Sequence, residues 1–184
     1  MFRIDDDTLL KTLAVADAPE LFALTDANRD YLRRWLPWPD AVTQEADTRA
    51  YLETVIRQRG AGLGPVFGIV HRGALAGIVG FHPIDRYNGV GEIGYWLGEA
   101  YQHRGIMTAC CRFLVRYGFE TLALHRIQIP AATGNLPSRA IPERLGFKLE
   151  GVLRERENLG GTHVDHAMYS MLEGEYAAGA LPPP

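Results

Sequence analysis

One strand–turn–helix passage constrains this chain more than any other. A strand-like run, Glu92 to Leu97, puts Glu92, Gly94 and Trp96 on one face and Ile93, Tyr95 and Leu97 on the other. The turn Gln102-His103-Arg104-Gly105-Ile106-Met107-Thr108 follows it. A helix-like run from Gly105 to Leu122 then carries Ile106, Cys110, Phe113 and Tyr117 at core spacing. A strand that enters a helix through a glycine-containing turn leaves the first backbone N–H groups of that helix unpaired. Together with the positive end of the helix dipole, those donors make an anion site suited to phosphate.

The remaining elements follow from punctuation and period. Leu9 to Val15 reads as a strand, and Asp17-Ala18-Pro19-Glu20 as a helix start with Asp at the N-cap and Pro in the first turn. Tyr31 to Pro39 holds Trp35 and Trp38 between prolines, which predicts a loop or a bent helix. Thr43 opens a second helix, closed by Gly60 to Pro65. Val66 to His71 and Ala74 to Phe81 form a hairpin turning at Arg72-Gly73. Arg126 to Thr133 is a further strand, and Asn135 to Leu145 a short helix ended by Gly146. Phe147 to Glu157 and His163 to Leu172 form a final hairpin turning at Gly160-Gly161, before a tail expected to fray. The order predicts a mixed α/β (α+β) chain: a single mixed sheet of about six to seven strands with helices on both faces. No repeat and no linker composition interrupts the 184 residues, so a single domain is expected.

Pro130 adds a local constraint. Proline cannot donate to a sheet ladder, so the strand Arg126 to Thr133 must be an edge there or must part from its neighbour. Strands that splay beside the phosphate turn would offer free backbone groups to a ligand.

Composition narrows the function classes. A formal charge of −3, with no cluster of Lys and Arg, argues against a nucleic-acid surface. No run approaches the roughly 18 apolar residues of a membrane span, and the acidic start Met1 to Asp7 is unlike a signal sequence. A cytoplasmic protein is expected. Cys110 and Cys111 are adjacent, which rules out an ordinary mutual disulfide and a four-ligand zinc site; free thiols are expected. His125, His163 and His166 have no metal-pair spacing, so no metal is expected.

Several segments together resemble the GNAT superfamily of acetyl-CoA-dependent N-acetyltransferases. Its pyrophosphate signature is Gln or Arg, two residues, Gly, one residue, then Gly or Ala; Gln102 and Gly105 match, and Met107 departs. Met in that place is familiar in the RimJ/RimL-like branch, which acetylates protein N-termini. The same branch is suggested by Tyr31 to Trp38, by Glu92 to Leu97, and by Gly134-Asn135 with Ser138-Arg139-Ala140. Arg144 to Phe147 and Leu149-Glu150-Gly151 add to the likeness, which spans about residues 8 to 172. The resemblance implies a mostly antiparallel sheet with a splay between its two central strands, an acetyl-CoA co-substrate, a primary-amine acceptor and, by analogy only, a homodimer. The favoured acceptor is a protein α-amino group of the ribosomal-protein type; a small amine is the alternative, and a non-catalytic acyl-CoA-binding module the third.

Site residues follow residue by residue. The backbone of Gln102, His103, Arg104, Gly105, Ile106, Met107 and Thr108 would hold the diphosphate, with His103 fitting if its φ is negative and its ring faces solvent. Tyr95, Trp96 and Leu97 would pair with the pantetheine arm as a neighbouring strand would. The resemblance assigns Asn135 to the CoA arm and Ser138 to the sulfur, where its hydroxyl would serve the leaving thiolate; both are also ordinary helix-cap residues. Arg139 would meet a phosphate or stay in solvent. Glu157 aligns with the carboxylate proposed as base in the branch, although Asn158 stands where an aromatic residue is usual. Glu92 is the second candidate, and solvent the third. Tyr31, Trp35 and Trp38 would line the acceptor entrance or simply pack on the sheet. Direct attack is expected rather than an acyl-cysteine, because Cys110 and Cys111 lie inside the phosphate helix.

Overall fold

The computed structural model describes residues 1–183. Its elements, in chain order, are β1 (Phe2–Arg3), β2 (Thr8–Thr12), α1 (Ala18–Ala27), α2 (Arg29–Leu32), α3 (Glu45–Gly60), β3 (Val66–His71), β4 (Ala74–Phe81) and β5 (Val90–Leu97). There follow α4 (Ile106–Arg116), β6 (Arg126–Ala132), α5 (Leu136–Arg144), β7 (Lys148–Leu159), β8 (Thr162–Leu172) and α6 (Glu173–Ala177). One eight-stranded sheet runs β1-β2-β3-β4-β5-β6-β8-β7. Every neighbouring pair is antiparallel except β5 and β6.

The sheet has one strand more than expected, because the two-residue β1 pairs with β2 through Phe2↔Leu10 and Arg3↔Leu9. Two residues carry no period, so only the pairing reveals them. The first long strand ends at Thr12 rather than Val15, since residues 15–17 wind into a 3-10 turn. Asp17 precedes α1 as expected, but its carboxylate accepts from the Ala14 N–H and meets Lys11 Nζ at 2.7 Å instead of capping the helix. The Arg72-Gly73 turn has φ of 51° and 83°, the left-handed pair that a two-residue hairpin needs. The expected frayed tail is instead packed: Ala180 and Leu181 lie against the core, and Arg112 donates to the Pro182 carbonyl.

Two apolar layers sandwich the sheet. Leu21 of α1 and Leu52 and Val55 of α3 pack on Val66, Leu75 and Ile78. On the other face Ile106, Cys110, Cys111 and Leu114 of α4 pack on Ile93, Ile127 and Ile129, joined by Ile141 of α5. Period-2 alternation makes this possible: odd residues of β5 and β6 point to α4, even residues to the opposite face. Among the described residues no helix is long and apolar enough to cross a membrane.

The splay is real and can be located. β5 and β6 pair in parallel only at Val90↔Arg126, Gly91↔Ile127 and Glu92↔Gln128. Past Glu92 they part. Hydrogen bonds from Thr133 N–H to Asp165 and from Glu173 N–H to the His125 carbonyl turn the odd residues of β6 toward β8. Even residues, Pro130 among them, therefore face β5, and the missing N–H lies on the open side. Likewise the bonds His82 N–H to Glu92 and Gly98 N–H to Ala76 turn even residues of β5 toward β4. Tyr95 and Leu97 thus present their backbone N–H and C=O groups to the gap, while the backbone of Trp96, expected to pair with the same ligand arm, faces β4 instead.

Candidate active site

The turn that leads into α4 offers mainly backbone groups. Gly105 is the N-cap of α4 at φ 76°, and Ala109 is the first residue whose N–H reaches a carbonyl at the helix start, that of Gly105. Among the described residues the amides of 103–108 meet no backbone acceptor, whereas the Gln102 N–H, expected to join them, donates to the Glu99 carbonyl at 3.2 Å. Six adjacent donors stand unpaired at the positive end of an eleven-residue helix, an arrangement that suits an anion. His103 departs from expectation: its φ is +58°, not negative, while its side chain is exposed. Ile106 and Met107 bury their side chains in the core, so the turn uses only their N–H groups. Met at the third signature position is therefore a core residue, and its bulk does not enter the cradle.

The turn opens on a cavity of about 1560 Å³ that continues through the splay to the opposite face of the sheet. Asn135 and Ser138 line it where β6 gives way to α5. Asn135 is the N-cap of α5 and its Oδ1 accepts from the Ser138 N–H at 3.3 Å. Tyr95 reaches across from β5: its hydroxyl donates to the Ser138 carbonyl and lies 3.1 Å from Ser138 Oγ. Burial, reinforced by the neighbouring Cys111, holds the Tyr95 phenol well above its ordinary range. Tyr95 is thus a neutral donor fastened to Ser138, a pairing absent from the sequence reading.

Arg139 is elsewhere. Its guanidinium donates to Tyr169 Oη at 3.0 Å and to the Thr133 carbonyl at 3.1 Å, and Tyr169 donates in turn to Glu143 at 2.6 Å. It does not line the cavity; it ties α5 to β8. Arg104 is exposed beside the cradle.

The far end of the cavity collects residues from four distant segments. Glu92 accepts from Gln128 Nε2 at 2.8 Å, with His82 at 3.9 Å. Glu157 meets His166 Nε2 at 3.1 Å, and both line the cavity. Trp38 leans on Trp96 with ring centroids 5.9 Å apart, and Trp35 covers Gly134 beside the Asn135 cap. Tyr31, Trp35 and Trp38 all line the cavity half-buried, on a segment that Arg29 straps by donating to the carbonyls of Pro39 and Val42. Gln128 and His166 were missed as site residues in the sequence. The alternation of Glu92 and Gln128 on paired parallel strands could have found Gln128; nothing local marks His166.

A family model for the acetyltransferase (GNAT) domain matches residues 7–148. The chain belongs to the GNAT acetyltransferases. It is 38% identical over 178 residues to the putative ribosomal N-acetyltransferase YdaF of Bacillus subtilis (strain 168), covering 95% of this chain and 96% of that protein. Its fold superposes with a TM-score of 0.90 on RimL, a ribosomal L7/L12 α-N-protein acetyltransferase in complex with coenzyme A, at 28% identity over 93% of this chain and 97% of that one. The microcin C7 self-immunity acetyltransferase MccE, in complex with acetyl-CoA and AMP, gives a TM-score of 0.87 at 31% identity, covering 92% and 94%.

Two features of this GNAT chain bear on chemistry. Burial pushes the Cys110 thiol up to about 12 and that of Cys111 well above its usual range, so neither is a thiolate at neutral pH. Both are fully buried in the core beneath the helix. A covalent acyl-cysteine has no nucleophile there.

Proposed function

We propose that this GNAT chain binds acetyl-CoA as co-substrate and transfers its acetyl group, by direct attack, to a protein N-terminal α-amino group. The observation that carries this reading is the continuity of three parts in one cavity: a six-amide cradle, an open β5–β6 gap, and two carboxylates beyond it. The amides of 103–108 suit a diphosphate. The free backbone groups of Tyr95 and Leu97 suit the two amides of pantetheine, which would add as a short strand. A thioester carried to the end of that strand would have the Tyr95 N–H available for its oxyanion.

The proton inventory is simple. An N-terminal amine has a pKa of about 7.7–8.0, so a modest base suffices. Glu157 takes that role: it lies on the acceptor side and keeps an oxygen free of His166. Glu92 shares an oxygen with Gln128 and helps to hold a cationic acceptor. The amine nitrogen bonds to the acyl carbon, its proton passes to Glu157, and the C–S bond breaks. Ser138, oriented by Tyr95, donates to the departing sulfur. The similarity to YdaF and to RimL supports a protein acceptor of the ribosomal type. The whole chain then serves as one cytoplasmic acetyltransferase domain.

A thiol-release assay with acetyl-CoA tests the reading against peptides with free α-amino groups and against polyamines, amino sugars and amino-bearing nucleotides. Release with peptides, lost when their N-terminus is blocked, is the expected result. Release with small amines alone would replace the acceptor, and tight CoA binding without release from any amine would remove the enzyme reading.

A further inference from the structure

The hairpin β7–β8 is irregular where it meets the site. Leu153 pairs with His166, but the next pair on β7 is Glu157 with Val164. Two extra residues are therefore inserted on β7. An insertion of two preserves the alternation of faces, so Glu157 emerges on the face of Leu153 and His166 instead of Glu155. The insertion is strained: Glu155 has φ +51°, the left-handed region that a residue with a Cβ rarely occupies. Asp165, next to His166 on β8, holds it there, its Oδ1 accepting the Glu155 N–H at 2.8 Å. The backbone of Asp165 is itself anchored, since its carbonyl accepts from Thr133 N–H at the β6–α5 turn.

His166 completes the arrangement from the face of β8 opposite to Asp165, the face that Glu157 shares. Its Nε2 lies 3.1 Å from Glu157 Oε2, with side chains 12% and 29% exposed. With Glu157 as the acceptor of this bond, the ring carries its proton on Nε2. Glu157 lines the cavity, and among the described residues its Oε1 meets no hydrogen-bond partner. Backbone strain concentrated at a bulge beside a reactive group is the pattern of a positioned site rather than of a passive turn.

We infer that His166 is a positioning residue for the acceptor base: it fixes Glu157 through Nε2–H while the Asp165–Glu155 clamp sets the bulge that delivers Glu157 to the cavity. This rests on Glu157 being the base. The acceptor proton goes to Glu157 Oε1, and His166 exchanges no proton in the transfer.

The test is a double-mutant cycle on the full chain with the peptide acceptor, measuring kcat and KM for both substrates. His166→Leu lowers kcat about 30-fold, the range of a misplaced catalytic group, and leaves KM for acetyl-CoA within about 2-fold. His166→Gln, whose amide N–H reaches the place of Nε2–H, stays within about 3-fold of the parent kcat. In a Glu157→Gln background, His166→Leu adds less than about 2-fold, because the two act as one unit. Asp165→Ala lowers kcat about 10-fold with the same KM pattern. Thermal melting and KM for acetyl-CoA report whether each variant folds. An impaired Glu157→Gln on which His166→Leu acts additively, or equal losses in His166→Leu and His166→Gln, would overturn the inference and spare the base. A Glu157→Gln variant with undiminished kcat sinks the base assignment itself, and the inference with it.

Discussion

The two ends of the cavity are made of different material. The cradle at residues 103–108 is backbone, contiguous in sequence, and its side chains point into the core or into solvent. The acceptor end is side chain, gathered from β5, β6, the β7–β8 hairpin and the Trp35–Trp38 segment. Backbone donors serve any sequence that holds the turn, whereas a side-chain site changes with each substitution. The contrast explains how one fold can keep a cofactor and vary an acceptor. It also predicts that damage to the two ends will appear in different kinetic constants.

The largest expected effect is at the acceptor end. Glu157→Gln removes the proposed base and keeps the hydrogen bond to His166 within reach. It should lower kcat about 100-fold at pH 7, with KM for acetyl-CoA unchanged. The deficit should shrink as pH rises and free amine accumulates. A pH–rate profile parallel to that of the parent would assign the proton to solvent.

Next in size is the turn. Gly105 sits at φ 76°, and the space beside it is open, so only the backbone penalises a side chain there. A β-branched residue in the left-handed region costs about 1–2 kcal/mol. If the turn reshapes to avoid that cost, the amides lose their convergence. Gly105→Val should raise KM for acetyl-CoA roughly 10-fold, with kcat at saturation within about 3-fold, the mirror image of Glu157→Gln. Equal changes in both constants would erase the division between the two ends.

Legibility follows the same division. The cradle, the splay and α5 could be read because their signals are local: Gly105 at the helix start, Pro130 in a strand, Asn135 ahead of a helix. The acceptor end could be read only as single residues. That Glu157 pairs with His166 depends on a two-residue slip in register, which no period in β7 announces. Arg139 reads from the sequence as a phosphate or solvent residue, yet its Nε and Nη1 donate to Tyr169 and Thr133, partners 30 and 6 residues away. The positive φ at His103 is hidden from the sequence for a related reason. Two successive left-handed turns of the chain, at His103 and Gly105, are needed to aim the amides, and only one of them carries a glycine.

A smaller effect concerns the scaffold beneath the acceptor. Arg126 binds Glu150 through two hydrogen bonds of 2.6 and 2.5 Å, and Ser170 donates to the same carboxylate at 2.7 Å. Arg126 above all, then Ser170, holds the Glu150 carboxyl down at about 2. A depressed carboxyl contributes stability that is full above its unfolded value, near 4.5, and is lost as pH falls toward about 2. Glu150 is partly exposed, so solvent screening limits the gain to below about 1 kcal/mol. Glu150→Gln should therefore lower the melting temperature slightly at pH 7, and the difference should vanish near pH 2. A deficit that persists through that range would mean that packing, not charge, is what Glu150 supplies.

The smallest expected effect is the most discriminating for the cradle. His103 has φ +58° and an exposed side chain that, among the described residues, makes no hydrogen bond. Replacing it with Gly relieves a left-handed strain of about 1 kcal/mol and adds unfolded-state freedom worth about 0.5–1 kcal/mol. The two nearly cancel, and His103→Gly should leave both the melting temperature and KM for acetyl-CoA close to the parent. His103→Ala retains the strain and should behave as His103 does. If the cradle works through backbone alone, all three chains bind acetyl-CoA within about 2-fold. A drop shared by Gly and Ala would show that the imidazole itself meets the co-substrate, and the cofactor end would then be part side chain, like its counterpart across the sheet.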